Sequence, residues 1–135
     1  MIPLDDLIVY QRAMDLGDIV WSTVKDWDYF AKQTIGRQLV RSADSVSANI
    51  AEGHGRYHYG DRRQFAYYAR GSLYESETWL RKSATRQLIP PHLVKELNEQ
   101  TGELGRILNG YINTSAASNR NRRTLDVWLL RIADP

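Results

Sequence analysis

The sequence predicts an all-α protein, an antiparallel up-down-up-down four-helix bundle, and three observations predict it. Apolar residues recur every three or four positions in four separate stretches, the period of helices with one buried face. Glycine- or proline-rich breaks separate the later stretches, and no pair of strand-like runs occurs. The 135 residues suit one domain large enough to bury a core without disulfides or a structural metal.

Pro3, Asp5 and Asp6 predict a helix start, with carboxylates set against the positive end of the helix dipole. Helix one is expected to run to about Asp26. Leu7, Tyr10, Met14, Gly17, Trp21 and Val24 form one stripe, Ala13, Leu16, Val20 and Trp27 an adjacent one, and the two together read as a wide core face. The stretch from Trp27 to Phe30 reads as a turn. Ile35, Leu39, Ala43, Val46 and Ile50 then mark helix two, expected to end at Gly53, a residue type that often terminates helices.

Residues 52–60 contain Gly53, Gly55 and Gly60 and read as a connector. Asp61 and Gln64 have the spacing of a capping box, which predicts that helix three begins there. Its stripe of Phe65, Ala69, Ser72, Ser76, Trp79 and Ser83 places small residues between aromatic ends, so a neighbouring helix can approach closely. Pro90 and Pro91 end helix three, and Pro91 is suited to open helix four, whose seam is Leu93, Leu97, Leu104, Leu108 and Tyr111. The bundle domain is thus assigned to residues 1–113 and a tail to 114–135. The tail adds a basic arm for nucleic acid at Arg120, Arg122 and Arg123 and is apolar from Leu125 to Leu130, a run that either folds back on its own bundle or docks on another subunit or partner.

Cysteine is absent, which excludes disulfides, thiol nucleophiles and thiolate metal sites and suits a reducing compartment. The N-terminus has no basic leader and no apolar run is long enough to span a bilayer, so the expected location is cytoplasmic, with no membrane contact. The formal charge of +2 is small but unevenly spread. Residues 1–30 carry six Asp against Arg12 and Lys25, whereas residues 31–92 carry ten Lys and Arg against five Asp and Glu. That asymmetry either polarises the surface toward phosphate or cancels in three dimensions.

Catalytic and metal readings find little support in the residues. His54 and His58 are four apart, but the glycines around them make this a loop, where that spacing loses its meaning for a metal. Glu75 and Glu77 point to different sides of helix three and are expected to pair with Arg or Lys. No serine has an activating His or Asp pattern, and no phosphate-binding glycine loop precedes a lysine. Arg86 and His92 have a spacing used by some small helical ribonucleases, but Pro90 and Pro91 interrupt it. No cofactor is expected.

The basic residues carry the functional reading. Arg37 and Arg41 lie one turn apart on helix two; Arg62 and Arg63 open helix three, and Arg70, Arg81 and Lys82 continue along it. Arginine forks suit phosphate, and Tyr57, Tyr59, Tyr67 and Tyr68 offer faces on which unpaired bases can stack. The competing reading gives the arginines to intersubunit salt bridges and the tyrosines to core or interface.

The run Gln38-Leu39-Val40-Arg41-Ser42-Ala43, followed by Ser45, Ser47, Asn49-Ile50-Ala51-Glu52-Gly53 and Gly55-Arg56, resembles the four-helix-bundle proteins encoded in intervening sequences of bacterial 23S rRNA genes. Leu7 to Ala13 resembles that family's opening, and Phe65, Ala69, Gly71-Ser72-Leu73 and Glu75 its third helix. The resemblance covers about residues 4–113. The family is similar to the accessory variability proteins of diversity-generating retroelements, pentameric barrels that work with a reverse transcriptase and its RNA. The resemblance therefore implies a homopentamer and a non-enzymatic accessory role with RNA or DNA. It also implies that Asn49, Glu52, Gly53 and Glu75 are structural signature residues, and that Arg41 and Arg56 are signature basics. A scaffolding bundle that binds only protein is the alternative from another class, and a ribonuclease the remoter one.

Overall fold

The computed structural model describes residues 2–115, and these form four long helices with no strand among them. Arg120, Arg122, Arg123 and the apolar run from Leu125 lie outside the described residues. A short 3-10 turn, Leu4–Asp6, precedes α1, Ile8–Val24. Asp5 and Asp6 thus belong to a separate turn that Leu7 joins to the helix, instead of to the helix start expected from their charge.

The second helix, α2, has a first turn Tyr29–Ala31, a π-helical stretch Lys32–Gly36 and a body Arg37–His54. Asp28 starts it, because its side-chain oxygen accepts from the Ala31 N–H at 3.0 Å and satisfies a backbone donor that has no partner within the helix. Tyr29 and Phe30 are therefore helical, where a turn was expected. The third helix, α3, is Tyr59–Thr85, and the fourth, α4, is Pro91–Ser115. His58 occupies the N-cap position of α3 without a side-chain cap, so Asp61 lies inside the first turn, where its charge faces the helix dipole, and the expected capping box does not form.

Every helix contributes to one core. Leu7, Val9, Ala13, Leu16 and Val20 face Leu39, Ala43, Val46 and Ile50, while Ala69, Leu73 and Leu80 meet Leu97, Leu104 and Leu108. On α1 the buried seam draws on both expected stripes, Leu7, Gly17 and Val24 from one and Ala13, Leu16 and Val20 from the other. Met14 and Trp21 are exposed because Val20 and Val24, adjacent to Trp21 in the helix, take the buried positions. On α3, likewise, Ala66, Leu73 and Leu80 are buried, whereas Phe65 and Trp79 sit at the edge of the core.

Small residues let α2 and α3 approach. The Ser76 hydroxyl donates to Ser42 Oγ at 2.9 Å across the buried contact. At Gly53 an added Cβ would lie 2.7 Å from Phe65 Cβ and 3.2 Å from the Arg62 carbonyl. Gly53 has no positive φ and the helix continues to His54, so this glycine does not terminate α2 as expected. It is the point where the two helices touch. The sharper stop is at the end of α3, where Leu88 N–H donates to Ser83 O and Gln87 N–H to Ala84 O, a Schellman pattern with Gln87 at φ 60°.

Candidate functional site

Among the described residues, cations without ion-pair partners converge in a groove between the C-terminal half of α1 and the first half of α2. Its volume is about 710 Å³. Val24, Gly36 and Val40 form its floor, and Lys25, Lys32, Arg37 and Arg41 line its sides beside the indole of Trp21. Local sequence explains the convergence. Trp21 and Lys25 are one turn apart on α1, Arg37 and Arg41 one turn apart on α2, so each pair shares a helix face. Gly36 permits the approach, because a Cβ there would meet Val24 Cγ1 at 2.8 Å and Ala31 O at 3.1 Å. The π-helical stretch lies at the same place, widening the helix as it passes Lys32 and Gln33.

None of Lys25, Lys32, Arg37 and Arg41 is in an ion pair or a side-chain hydrogen bond among the described residues. The ion pairs there are Arg12–Glu103 at 3.3 Å and Arg56–Glu52 at 2.6 Å. Trp21 is 60 % exposed. No carboxylate among the described residues lines the groove. Farther along the same two helices, Asp44 packs against Gly17, its Oδ1 2.7 Å from where a Cβ would stand. Partial burial, and secondarily the charge of Asp18, push the Asp44 carboxyl above its usual range. The α1–α2 surface therefore changes sign along its length, from cationic at Lys32 and Arg37 to anionic at Asp44 and Asp18.

The remaining basic residues of the sequence reading fall elsewhere. Arg56 lies over the Phe65 ring at 5.0 Å while bound to Glu52. Arg62 is only 7 % exposed: its Nε donates to Arg56 O at 2.8 Å and its guanidinium lies over Tyr59. Arg62 also reaches toward Tyr111 of α4, whose hydroxyl is pushed up in pKa by burial and drawn back in part by the Arg62 charge. It holds the connector to the bundle and is not an exposed phosphate ligand. Arg63 and Arg70 flank the Tyr67 ring at 5.6 and 4.8 Å, with Arg63 Nη2 donating to the Tyr67 hydroxyl and Arg70 Nη1 to Asn109. Arg81 borders a separate crevice with Leu80, Ile89 and Leu97, and Lys82 is exposed beside it in sequence. Of the tyrosines, Tyr57 and Tyr68 are exposed, whereas Tyr59 and Tyr67 carry arginines.

The signature polar residues are arranged as structure. Asn49 Nδ2 donates to Ser45 O at 2.8 Å, and Glu52 is exposed on its pair with Arg56. Glu75 and Glu77 form no ion pair among the described residues, where pairing with Arg or Lys was expected, although Arg81 follows Glu77 by one helical turn. His54 Nε2 is 2.8 Å from Ile2 O, tying the N-terminus to the connector, and His58 stacks edge-on with Tyr57. No cluster of three or more His, Asp or Glu side chains suited to a metal occurs among the described residues. Arg86 caps α3 and His92 stands in the first turn of α4, on separate elements. No helix among the described residues is long and apolar enough to cross a membrane.

Four helices closing on one core, with the Asn49-Ile50-Ala51-Glu52-Gly53 run at the last turns of α2 where it meets α3, define an all-helical class of small protein. The chain belongs to the 23S rRNA-intervening sequence protein family, whose model matches residues 5–110. Among solved structures it is similar to a protein of unknown function from the S23 ribosomal protein family of Bacteroides thetaiotaomicron VPI-5482. The two share 20 % identity over 80 % of this chain and 97 % of that one, with a TM-score of 0.72, a likeness of fold. No curated protein matches the sequence.

Proposed function

We propose that this protein is a non-catalytic accessory bundle that binds nucleic acid, RNA or DNA, through the groove between α1 and α2. The observation that carries the reading is the meeting of Lys25, Lys32, Arg37 and Arg41, none with an anionic partner among the described residues, around an exposed tryptophan. Like charges crowded on one surface repel one another, and a bound polyanion relieves that repulsion while releasing its counterions. The arginines around Tyr59, Phe65 and Tyr67 are already engaged within the chain, which favours the groove over the α3 surface.

The up-down-up-down arrangement belongs to the same proposal. Its support is the pairing of Gly17 with Asp44 and Val24 with Gly36, of Ser42 with Ser76 and Gly53 with Phe65, and of Arg70 with Asn109 and Leu73 with Gly105, in which residue numbers rise on one helix as they fall on the next. Assembly as a homopentamer, partnership with a reverse transcriptase and a cytoplasmic setting rest on the family resemblance. The exposed Met14, Tyr68 and Tyr74 are surface that a subunit contact would cover.

Fluorescence anisotropy of a labelled RNA at low salt tests the reading. Arg37→Ala with Arg41→Ala is expected to weaken binding at least about tenfold, roughly 1.4 kcal/mol. Arg63→Ala with Arg70→Ala is expected to change it little. Absence of binding at low salt, or equal losses in both double variants, overturns the proposal in favour of a bundle that contacts protein alone.

A further inference from the structure

We infer that the α1–α2 groove takes unpaired, single-stranded nucleic acid, one base stacking on the Trp21 indole while flanking phosphates lie on Lys25, Lys32, Arg37 and Arg41. The inference rests on the nucleic-acid reading above and deepens it by naming the form of the strand.

Cations alone bind any polyanion, duplex included, because duplex backbone presents the denser line of charge. What the groove adds is a large flat aromatic surface that the fold leaves open. Trp21 is 60 % exposed although its neighbours Val20 and Val24 are buried, so the helix presents the indole outward by its register. A base offers its π-face only when it is unpaired, and stacking on an aromatic side chain accepts any base. The groove volume of about 710 Å³ lies within the range of sites that enclose a small ligand, roughly 300–1,000 Å³, which leaves room for a base with its phosphate.

Two further features bear on the choice. Tyr29 and Phe30 are 79 % and 76 % exposed in the turn of α2 that leads into Lys32 and Gln33, so aromatic surface continues past the groove at its cationic end. At the other end Asp44 and Asp18 repel a phosphate backbone. A strand is thereby confined to the stretch where cations and aromatic rings coincide. A partner protein with an acidic face would satisfy the cations but has no comparable use for three open rings.

The test uses the full chain at low salt with three fluorescently labelled probes of equal length: a single strand of mixed sequence, a duplex, and a single strand whose central nucleotides are abasic. The single strand is expected to bind more tightly than either other probe and to quench tryptophan fluorescence. In Trp21→Leu the quenching should vanish and affinity for the intact strand should fall roughly five- to 150-fold, to the level of the abasic strand, the conversion of about 1–3 kcal/mol per stacked base. Trp21→Phe should recover part of that loss. Because residue 21 is exposed, neither variant should change the thermal midpoint. Equal binding of intact and abasic strands, preference for duplex, or competition by polyglutamate as effective as by the strand overturns the stacking inference and leaves nucleic-acid binding standing for the first two outcomes. No binding of any probe overturns both.

Discussion

Replacing Gly53 by alanine adds one methyl group where α2 meets α3, and the surroundings set the sign of its effect. In the interior of a helix alanine is favoured over glycine by about 1 kcal/mol. Against this, the new Cβ would stand 2.7 Å from Phe65 Cβ and 3.2 Å from Arg62 O. Neither neighbour is the free end of a flexible side chain, so the two helices must part by several tenths of an ångström. Overpacking of that kind costs about 1–3 kcal/mol, occasionally more. The displaced contact also includes buried Arg62 and its bond to Arg56 O, so the upper part of that range applies. The net expectation is a loss of about 1–2 kcal/mol. Gly71 provides the control. It too lies within a helix, is exposed, and would meet nothing within 4 Å, so alanine there should gain up to about 1 kcal/mol. At about 4 °C per kcal/mol for a domain of this size, the two variants should depart from the parent midpoint in opposite directions. Thermal unfolding followed by circular dichroism reads this directly. A Gly53→Ala midpoint raised as far as that of Gly71→Ala would refute the close approach of α2 and α3.

Further substitutions probe other parts of the account. Gln87 holds the left-handed position of a Schellman cap, where a side chain costs about 1 kcal/mol, so Gln87→Gly should raise the thermal midpoint by roughly 4 °C. Arg62→Ala should destabilise by about 1–3 kcal/mol because it orphans the Arg56 carbonyl and opens the connector, whereas Arg63→Ala should stay within about 0.5 kcal/mol, as denaturant unfolding will show. Asp44 has a folded pKa raised above its ordinary 3.8, so its protonated form favours the fold, and that advantage is lost as pH rises through the folded pKa. Asp44→Asn should therefore raise the midpoint at neutral pH, with the difference from the parent closing below pH 3.8.

Much of the fold is legible in the sequence because helix periodicity is a property of neighbours. Leu39, Ala43, Val46 and Ile50 are read correctly as one buried face, as are Leu97, Leu104 and Leu108. What periodicity leaves open is which residues of two adjacent stripes turn inward. On α1 both Trp21 and Val20 fit a helical spacing, and only the partner helix selects Val20 and Val24 for the core. The caps illustrate a similar limit. Asp28 and Asp61 each stand before a helical pattern, and tertiary packing decides that Asp28 caps while Asp61 does not. Gly53 looks like a terminator from its type alone, because the Phe65 Cβ it faces is twelve residues away.

The site divides in the same manner. Arg37 and Arg41 stand out in the sequence because they share one helix. Lys25 and Trp21 join them only through the packing of α1 on α2, and Lys25 is obscured by an aspartate-rich segment that makes the region read as acidic. Conversely, the stretch from Arg56 to Arg70 carries four arginines, yet the rings of Tyr59, Phe65 and Tyr67 lie against all four guanidinium groups.

The most direct measurement of the central claim is the salt dependence of binding to a single-stranded RNA. Each phosphate released from its counterions contributes a slope of about −0.7 in log Kobs against log salt, so four groove cations give roughly −2.8. Arg37→Ala with Arg41→Ala should bring the slope to about −1.4, and Arg63→Ala with Arg70→Ala should leave it unchanged. A slope near zero, or one reduced by the second pair and not by the first, would contradict the account.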